Sequence, residues 1–224
     1  MTKDANGNEI SLASDYAGNP VIRALIQLIP NGLGSAFDVI IMDRADRIKK
    51  QRVRTFFDEL ETGAVVLTKD LINDNEFLHS LNATMIAAFR SRREQKIRMF
   101  ARLLQNGAVE GKAKSPDDYE ELLNLLDDLS YREWEALILF KKHLDTTPPD
   151  ENPLKRVNPI WEVFVADLES ILNVEKEEAS SFMTRISRTG LYNEITGTYW
   201  DYSGGMGITT PKFERFRRLV EQAV

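Results

Sequence analysis

The chain has 224 residues, enough for one large domain or two small ones, and its 42% apolar and 29% charged content is that of a folded protein. A net charge of −6 argues against a whole-molecule nucleic-acid binder, although local patches can override the average. The lack of cysteine excludes disulfides, thiolate catalysis and cysteine-ligated zinc, and with only His79 and His143 a histidine-rich metal site is disfavoured.

Residues 1–19 are polar and without periodicity, and read as a mobile tail. They hold no basic-then-apolar signal pattern, so a cytoplasmic location is expected. From Pro20 the pattern turns helical. Ile22, Leu25, Ile26, Ile29, Leu33, Ala36, Phe37 and Ile40 recur at three- and four-residue steps, with Pro30 expected to kink the helix. The apolar run Val21–Met42 is interrupted by Arg23, Gln27, Pro30, Asn31 and Asp38, and fails as a conventional membrane span. Its stripe is expected to pack on Ile86, Phe89, Ile97 and Phe100. The helix then continues through Arg44 to Leu60 and stops near Gly63.

A second long helix is predicted from the cap Asn73-Asp74-Asn75 to Gln105, ending at Asn106-Gly107. Ser115-Pro116-Asp117 opens a third, with a stripe of Tyr119, Leu122, Leu123, Leu126 and Leu129. Ser130 and Glu133 form a capping box that starts a helix running to His143. Thr146–Pro159, with four prolines, reads as a linker. Trp161, Phe164, Val165, Leu168, Ile171 and Leu172 mark the next helix, and Phe182, Met183 and Ile186 the inner face of a helix over Glu175–Thr189 that stops at Gly190. A strand-like Gly197–Tyr202, a Ser203-Gly-Gly-Met-Gly207 turn, a short strand at Ile208-Thr209 and a helix from Pro211 complete the chain. Trp161 and Trp200 are both expected to be buried. The fold class is mainly α: a helical bundle over residues 20–114, then a winged-helix-like unit with one small β-hairpin over residues 115–224.

Winged-helix DNA binders present the start of their third helix to the major groove. Here that start is Glu175, Glu177 and Glu178, which would meet phosphates with like charge. Arg185 and Arg188 sit at the other end, and Tyr199 and Trp200 are the remaining candidates for a contact by the wing and third helix. A double basic patch is a second candidate. Arg44, Arg47, Lys49, Lys50, Arg52 and Arg54 crowd one helix and Arg90, Arg92, Arg93, Lys96, Arg98 and Arg102 the next. Packed antiparallel, they would merge into a surface for nucleic acid, an anionic membrane face or another anion, with Arg44, Arg47, Lys50, Arg54, Arg92, Arg93 and Lys96 foremost. These residues read better, however, as a solvated face paired with Asp43, Asp46, Asp58, Glu59 and Glu94 and with the acidic third helix. Asp117, Glu121 and Asp128 share a helical face on which oxygens could hold a hard cation, yet they read better as the wet side of an amphipathic helix. Gly32-Leu-Gly34 lacks the Lys-Ser/Thr of a phosphate loop, Gly204–Gly207 precedes a strand rather than a helix, and the histidines have no fixed acidic partner by sequence. No nucleophile–base arrangement is recognisable, so no catalytic residue, cofactor or metal is expected.

Four stretches carry a resemblance: Leu28-Ile-Pro-Asn-Gly-Leu-Gly34, Ser91-Arg-Arg-Glu-Gln-Lys96 through Leu103-Leu-Gln-Asn-Gly107, Leu129-Ser-Tyr-Arg-Glu133, and Thr189-Gly-Leu191. In these the chain resembles bacterial proteins of the abortive-infection protein alpha-like family. The resemblance implies a bacterial or phage origin and a link to phage defence, and brings no catalytic residues with it. The expected function is therefore a non-enzymatic binding or effector protein acting through protein contacts or self-association. A winged-helix DNA-binding regulator and a membrane-acting helical bundle are the alternatives, and no small-molecule substrate is expected.

Overall fold

A computed structural model describes residues 39–63, 71, 73–196 and 204–221, and only the backbone of residues 39–46. The expected tail at 1–19, the Pro30 kink, nearly all of the Val21–Met42 stripe, the Gly197–Tyr202 strand and Trp200 lie outside the described residues. Among those described, the chain is mainly helical with one small antiparallel hairpin. No helix there is long and apolar enough to cross a membrane. It divides into two compact units, residues 1–124 with 219–224 and residues 125–218. The boundary expected at Lys114/Ser115 lies ahead of this division.

In the first unit, α1 (Val39–Thr62) contains no Gly or Pro and stops at Gly63, whose N–H bonds the Glu59 carbonyl at 3.1 Å. It buries Phe56, Phe57 and Leu60. The ring of Phe56 meets those of Phe57 and Phe89 edge-on at 5.5 and 6.0 Å. Helix α2 (Asn75–Arg90) begins where expected, its first N–H groups capped by Asp74. The single long helix expected to Gln105 is instead three pieces. The chain leaves helical geometry at Ser91–Arg93, resumes as α3 (Glu94–Leu103), and widens into a π-helix at Leu104–Val109. Nor does the helix end at Asn106-Gly107. The Asn106 side chain donates to the Leu219 carbonyl at 2.9 Å, and Gly107 sits buried inside the π turn against the ring of Tyr119. The left-handed residue falls later, at Gly111, where φ is 65°. A Cβ on Gly107 would lie 2.9 Å from that ring, so glycine there serves close packing rather than a turn.

Helix α4 (Pro116–Asp128) starts as the sequence indicates, with Ser115 Oγ accepting from the Asp118 N–H at 3.1 Å and Pro116 at the first position. Its expected stripe of Tyr119, Leu122, Leu123, Leu126 and Leu129 is buried. The Thr84 hydroxyl donates to the Ser80 carbonyl at 2.6 Å, so the Tyr119 hydroxyl, 2.5 Å away, must donate to Thr84. Burial pushes the Tyr119 phenol well above its ordinary value of 10.0. A group whose pKa is raised on folding adds stability that is complete below its unfolded pKa and lost as pH climbs above it. Tyr119→Phe should therefore cost about 1 kcal/mol at neutral pH, for one buried hydrogen bond. Near pH 11 wild type should give up that advantage, since ionisation in the unfolded chain costs it about 1.4 kcal/mol per pH unit. Urea midpoints of the two proteins at both pH values test this. An unchanged difference between them would refute it.

In the second unit, α5 (Tyr131–Leu144) opens with the expected capping box. Ser130 Oγ accepts from the Glu133 N–H at 3.1 Å, and Glu133 Oε2 from the Ser130 N–H at 2.8 Å. The expected linker is shorter than Thr146–Pro159. Helix α6 (Pro153–Leu172) already begins at Pro153, capped by Asn152, and runs through Pro159. Lys155 and Pro159 are both exposed, so the carbonyl deprived of an N–H partner stands on the wet side of the helix. The helix closes on Asn173, left-handed at φ 52°. Trp161 is buried as expected, its ring 5.5 Å from that of Phe164. Ile171, expected on the inner stripe, is instead exposed.

The expected Glu175–Thr189 helix starts as a 3-10 turn (Lys176–Glu178) and becomes α7 only over Ala179–Ser187, burying Phe182, Met183 and Ile186. After Gly190 (φ 72°) comes β1 (Tyr192–Glu194), antiparallel to β2 (Gly207–Thr209) with Tyr192 opposite Thr209 and Glu194 opposite Gly207. The strand paired with Gly207–Thr209 is thus Tyr192–Glu194. The buried Tyr192 fixes it, donating its hydroxyl to the Gly205 carbonyl at 2.7 Å and setting its ring edge-on to Phe140 at 5.3 Å. Helix α8 (Pro211–Val220) starts at the expected proline, and Phe213 and Phe216 pack on Trp134 at 5.8 and 5.7 Å.

Candidate anion-binding surface

The break between α2 and α3 is built by α1. In an unbroken helix the Phe89 carbonyl would accept from the Arg93 N–H. Here the guanidinium of Arg52 donates to it instead, as basic side chains do at helix ends. One residue away, Gln51 donates to Glu94 Oε1 at 2.6 Å and ties down the first residue of α3. Ser91 and Arg93 both adopt extended backbone, so the chain turns outward between two anchored helix ends. Arg90, Arg92 and Arg93 are exposed on that turn, as is Lys50 on α1. Burial, and secondarily the charge of Arg92, lower the pKa of the Arg52 guanidinium.

The remaining basic residues have other duties. Arg98 and Arg102 reach the buried carboxylate of Glu59 at 2.8 and 2.6 Å. Arg54 pairs with Asp58 at 3.5 Å, one turn along α1. Lys96 lies 5.7 Å from the centre of the Phe100 ring. Arg47 is exposed, Lys49 is half-buried, and the side chain of Arg44 lies outside the described residues. The two sequence clusters therefore meet near Arg52 and Arg92, but the surface is smaller than their sum. Residues 44–102 hold 13 Lys and Arg against 8 Asp and Glu, an excess opposite in sign to that of the whole chain. Ser91-x-x-Glu94 has the spacing of a capping box, and that signal in the sequence places the break to within two residues.

At the second unit's candidate contact, Arg185 lies 3.0 Å and Arg188 4.0 Å from Glu133 Oε1, ionic approaches without hydrogen-bond alignment. Arg185 and Arg132 both stack on the Phe182 ring, at 5.2 Å. Glu175, Glu177 and Glu178 are exposed at the start of the third helix of this unit, so acids face outward there. Gly205 packs on the backbone of Ser180, in the first turn of α7. Tyr199 and Trp200 lie outside the described residues.

Both histidines have acidic partners that the sequence did not reveal. His79 Nε2 is 3.1 Å from Glu120 Oε1, and His143 Nε2 is 2.8 Å from Asp167 Oδ2. An open pocket of about 210 Å³ in the first unit is lined by Asp74, Glu76, Ser80 and Tyr119 among others. The Asp74 carboxylate is engaged in capping α2 and the Tyr119 hydroxyl in donating to Thr84, so these two are not free for a ligand. Among the described residues no group of three or more His, Asp or Glu is placed to hold a metal ion. Asp117, Glu121 and Asp128 are exposed on α4. Compared with protein-family models, with curated proteins and with solved structures, the chain shows no match.

Proposed function

We propose that this chain is a bacterial or phage-related binding or effector protein, linked to phage defence, that acts by contact with an acidic protein surface. The observation that carries the reading is the outward turn at Ser91–Arg93. Arg90, Arg92 and Arg93 stand exposed there on a frame held by Arg52 and Gln51, and Lys50 is exposed on α1. Placing charge on anchored helix ends lowers the ordering cost of a contact, and such a patch steers an anionic partner toward it. The resemblance to the abortive-infection family supplies the link to defence.

The order α5, α6, α7, β1, β2, α8 supports a winged-helix-like reading of the second unit. Its use as a DNA reader is less well supported. The exposed acids at the start of its third helix would repel phosphate, and Arg185 and Arg188 lean on Glu133. The membrane alternative rests on Val21–Met42, nearly all of it outside the described residues.

Fluorescence anisotropy with labelled polyglutamate and with duplex DNA, at physiological salt, tests the proposal. Polyglutamate should bind, and Arg92→Glu/Arg93→Glu should weaken it by about tenfold or more, with DNA bound weakly and without sequence preference. Micromolar, sequence-preferring duplex binding would give the DNA-regulator reading precedence. A saturable turnover activity abolished by a point mutation would overturn the non-enzymatic one.

A further inference from the structure

We infer that the acidic surface met by this cationic turn is α4 of a second copy of the same chain, joined head to tail. The inference rests on the reading above and names its partner. On α4, Asp117, Glu121 and Asp128 are spaced by four and seven residues, which sets them in one line along the helix, roughly 16 Å from end to end. All three are exposed. Their neighbours on the helix are already used: the Asp118 carboxylate accepts from the Lys114 N–H at 2.7 Å, and Glu120 holds His79. On the other side, Lys50, Arg90, Arg92 and Arg93 are exposed, and among the described residues none is seen in an ion pair with Asp117, Glu121 or Asp128.

Among the described residues, a single chain thus carries a row of carboxylates and a cluster of cations that are not paired with each other. The two surfaces differ, so the contact is heterologous, and each added copy leaves one of each surface open. Such an interface, made of exposed charges, is weak and salt-sensitive, and a chain of this kind assembles as its local concentration rises. For an effector this is a concentration threshold.

Analytical ultracentrifugation of the full chain across a concentration series tests the inference. In low salt the weight-average mass should at least double at the top of the series, and in about 0.5 M salt it should fall back to that of the monomer. Arg92→Glu/Arg93→Glu alone and Asp117→Lys/Glu121→Lys alone should each stay monomeric. An equimolar mixture of the two variants should regain mass, because each then offers the other an opposite charge. All four positions are exposed, so both variants should fold, which circular dichroism of each is to check. A wild type that remains monomeric in low salt, or an assembly indifferent to both reversals, overturns the inference. If the monomeric wild type still binds polyglutamate through Arg92 and Arg93, only the choice of partner has failed. Loss of both fails the underlying reading as well.

Discussion

Gly205→Ala should unfold the second unit far more readily than the same change at Gly204. Both glycines have positive φ, 87° at Gly204 and 83° at Gly205, so alanine is strained at either, by about 1–2 kcal/mol. Their surroundings differ. A Cβ on Gly204 would meet only Glu194 Oε1, at an ordinary 3.6 Å. On Gly205 it would lie 2.5 Å from the Ser180 Cα and 2.8 Å from its carbonyl oxygen, and backbone cannot swing aside. Moving the loop away also breaks the bonds that hold it, the Gly205 N–H to Glu194 at 2.9 Å and the Tyr192 hydroxyl to the Gly205 carbonyl. Overpacking adds about 1–3 kcal/mol, so the Gly205 variant should lose roughly 3–4 kcal/mol in all. All three tryptophans lie in residues 125–218, so intrinsic fluorescence in a urea titration reports this unit selectively. Equal losses at the two glycines would show that the loop does not bear on α7.

The same contrast shows what the sequence could and could not disclose. Caps and stripes are local, and local chemistry is legible. Ser130 and Glu133, Asp74, Ser115-Pro116 and the α4 leucines are where spacing put them. The structure departs from local expectation where a distant residue decides the outcome. Within Phe89–Glu94 the Ser91-x-x-Glu94 spacing is compatible with a new helix start, but no residue there forbids a continuous helix. It breaks because Arg52, far away in sequence, takes the Phe89 carbonyl. Asn106-Gly107 has the composition of a helix end, but the Asn106 amide is drawn to Leu219 and the glycine is needed against Tyr119. Pro159 looked like linker chemistry and is tolerated in α6 because its side of the helix faces water. The candidate surface divides in the same way. The density of basic residues is visible, but which of them are drawn into pairs depends on Glu59, Asp58 and Phe100, whose partnerships no spacing rule supplies.

Glu59 is the residue on which that division turns, and Glu59→Ala should destabilise the first unit by about 2–3 kcal/mol. Removing one partner of a buried ion pair costs about 3–5 kcal/mol, because the other charge is left desolvated. The lower figure applies because Arg98 is 40% exposed and can turn to water, whereas Arg102, at 19%, cannot readily do so. Arg102 keeps only a long bond of 3.4 Å to the Val220 carbonyl. Glu59→Gln preserves the shape and one acceptor but not the charge, and should cost about half as much, since a hydrogen bond to a charged group exceeds a neutral one by about that ratio. No tryptophan lies in this unit, so the measurement is hydrogen exchange at the amides of Phe56–Leu60 and Ile97–Leu104. Protection there should fall in the order wild type, Gln, Ala. The consequence for binding is opposite in sign to the loss of stability. Freed from Glu59, Arg98 joins the exposed cations, so at low temperature, where the variant stays folded, Glu59→Ala should bind polyglutamate at least as tightly as wild type. Weaker binding by a variant still folded by circular dichroism would mean that Glu59 shapes the cationic turn itself, by holding α3 in place on α1.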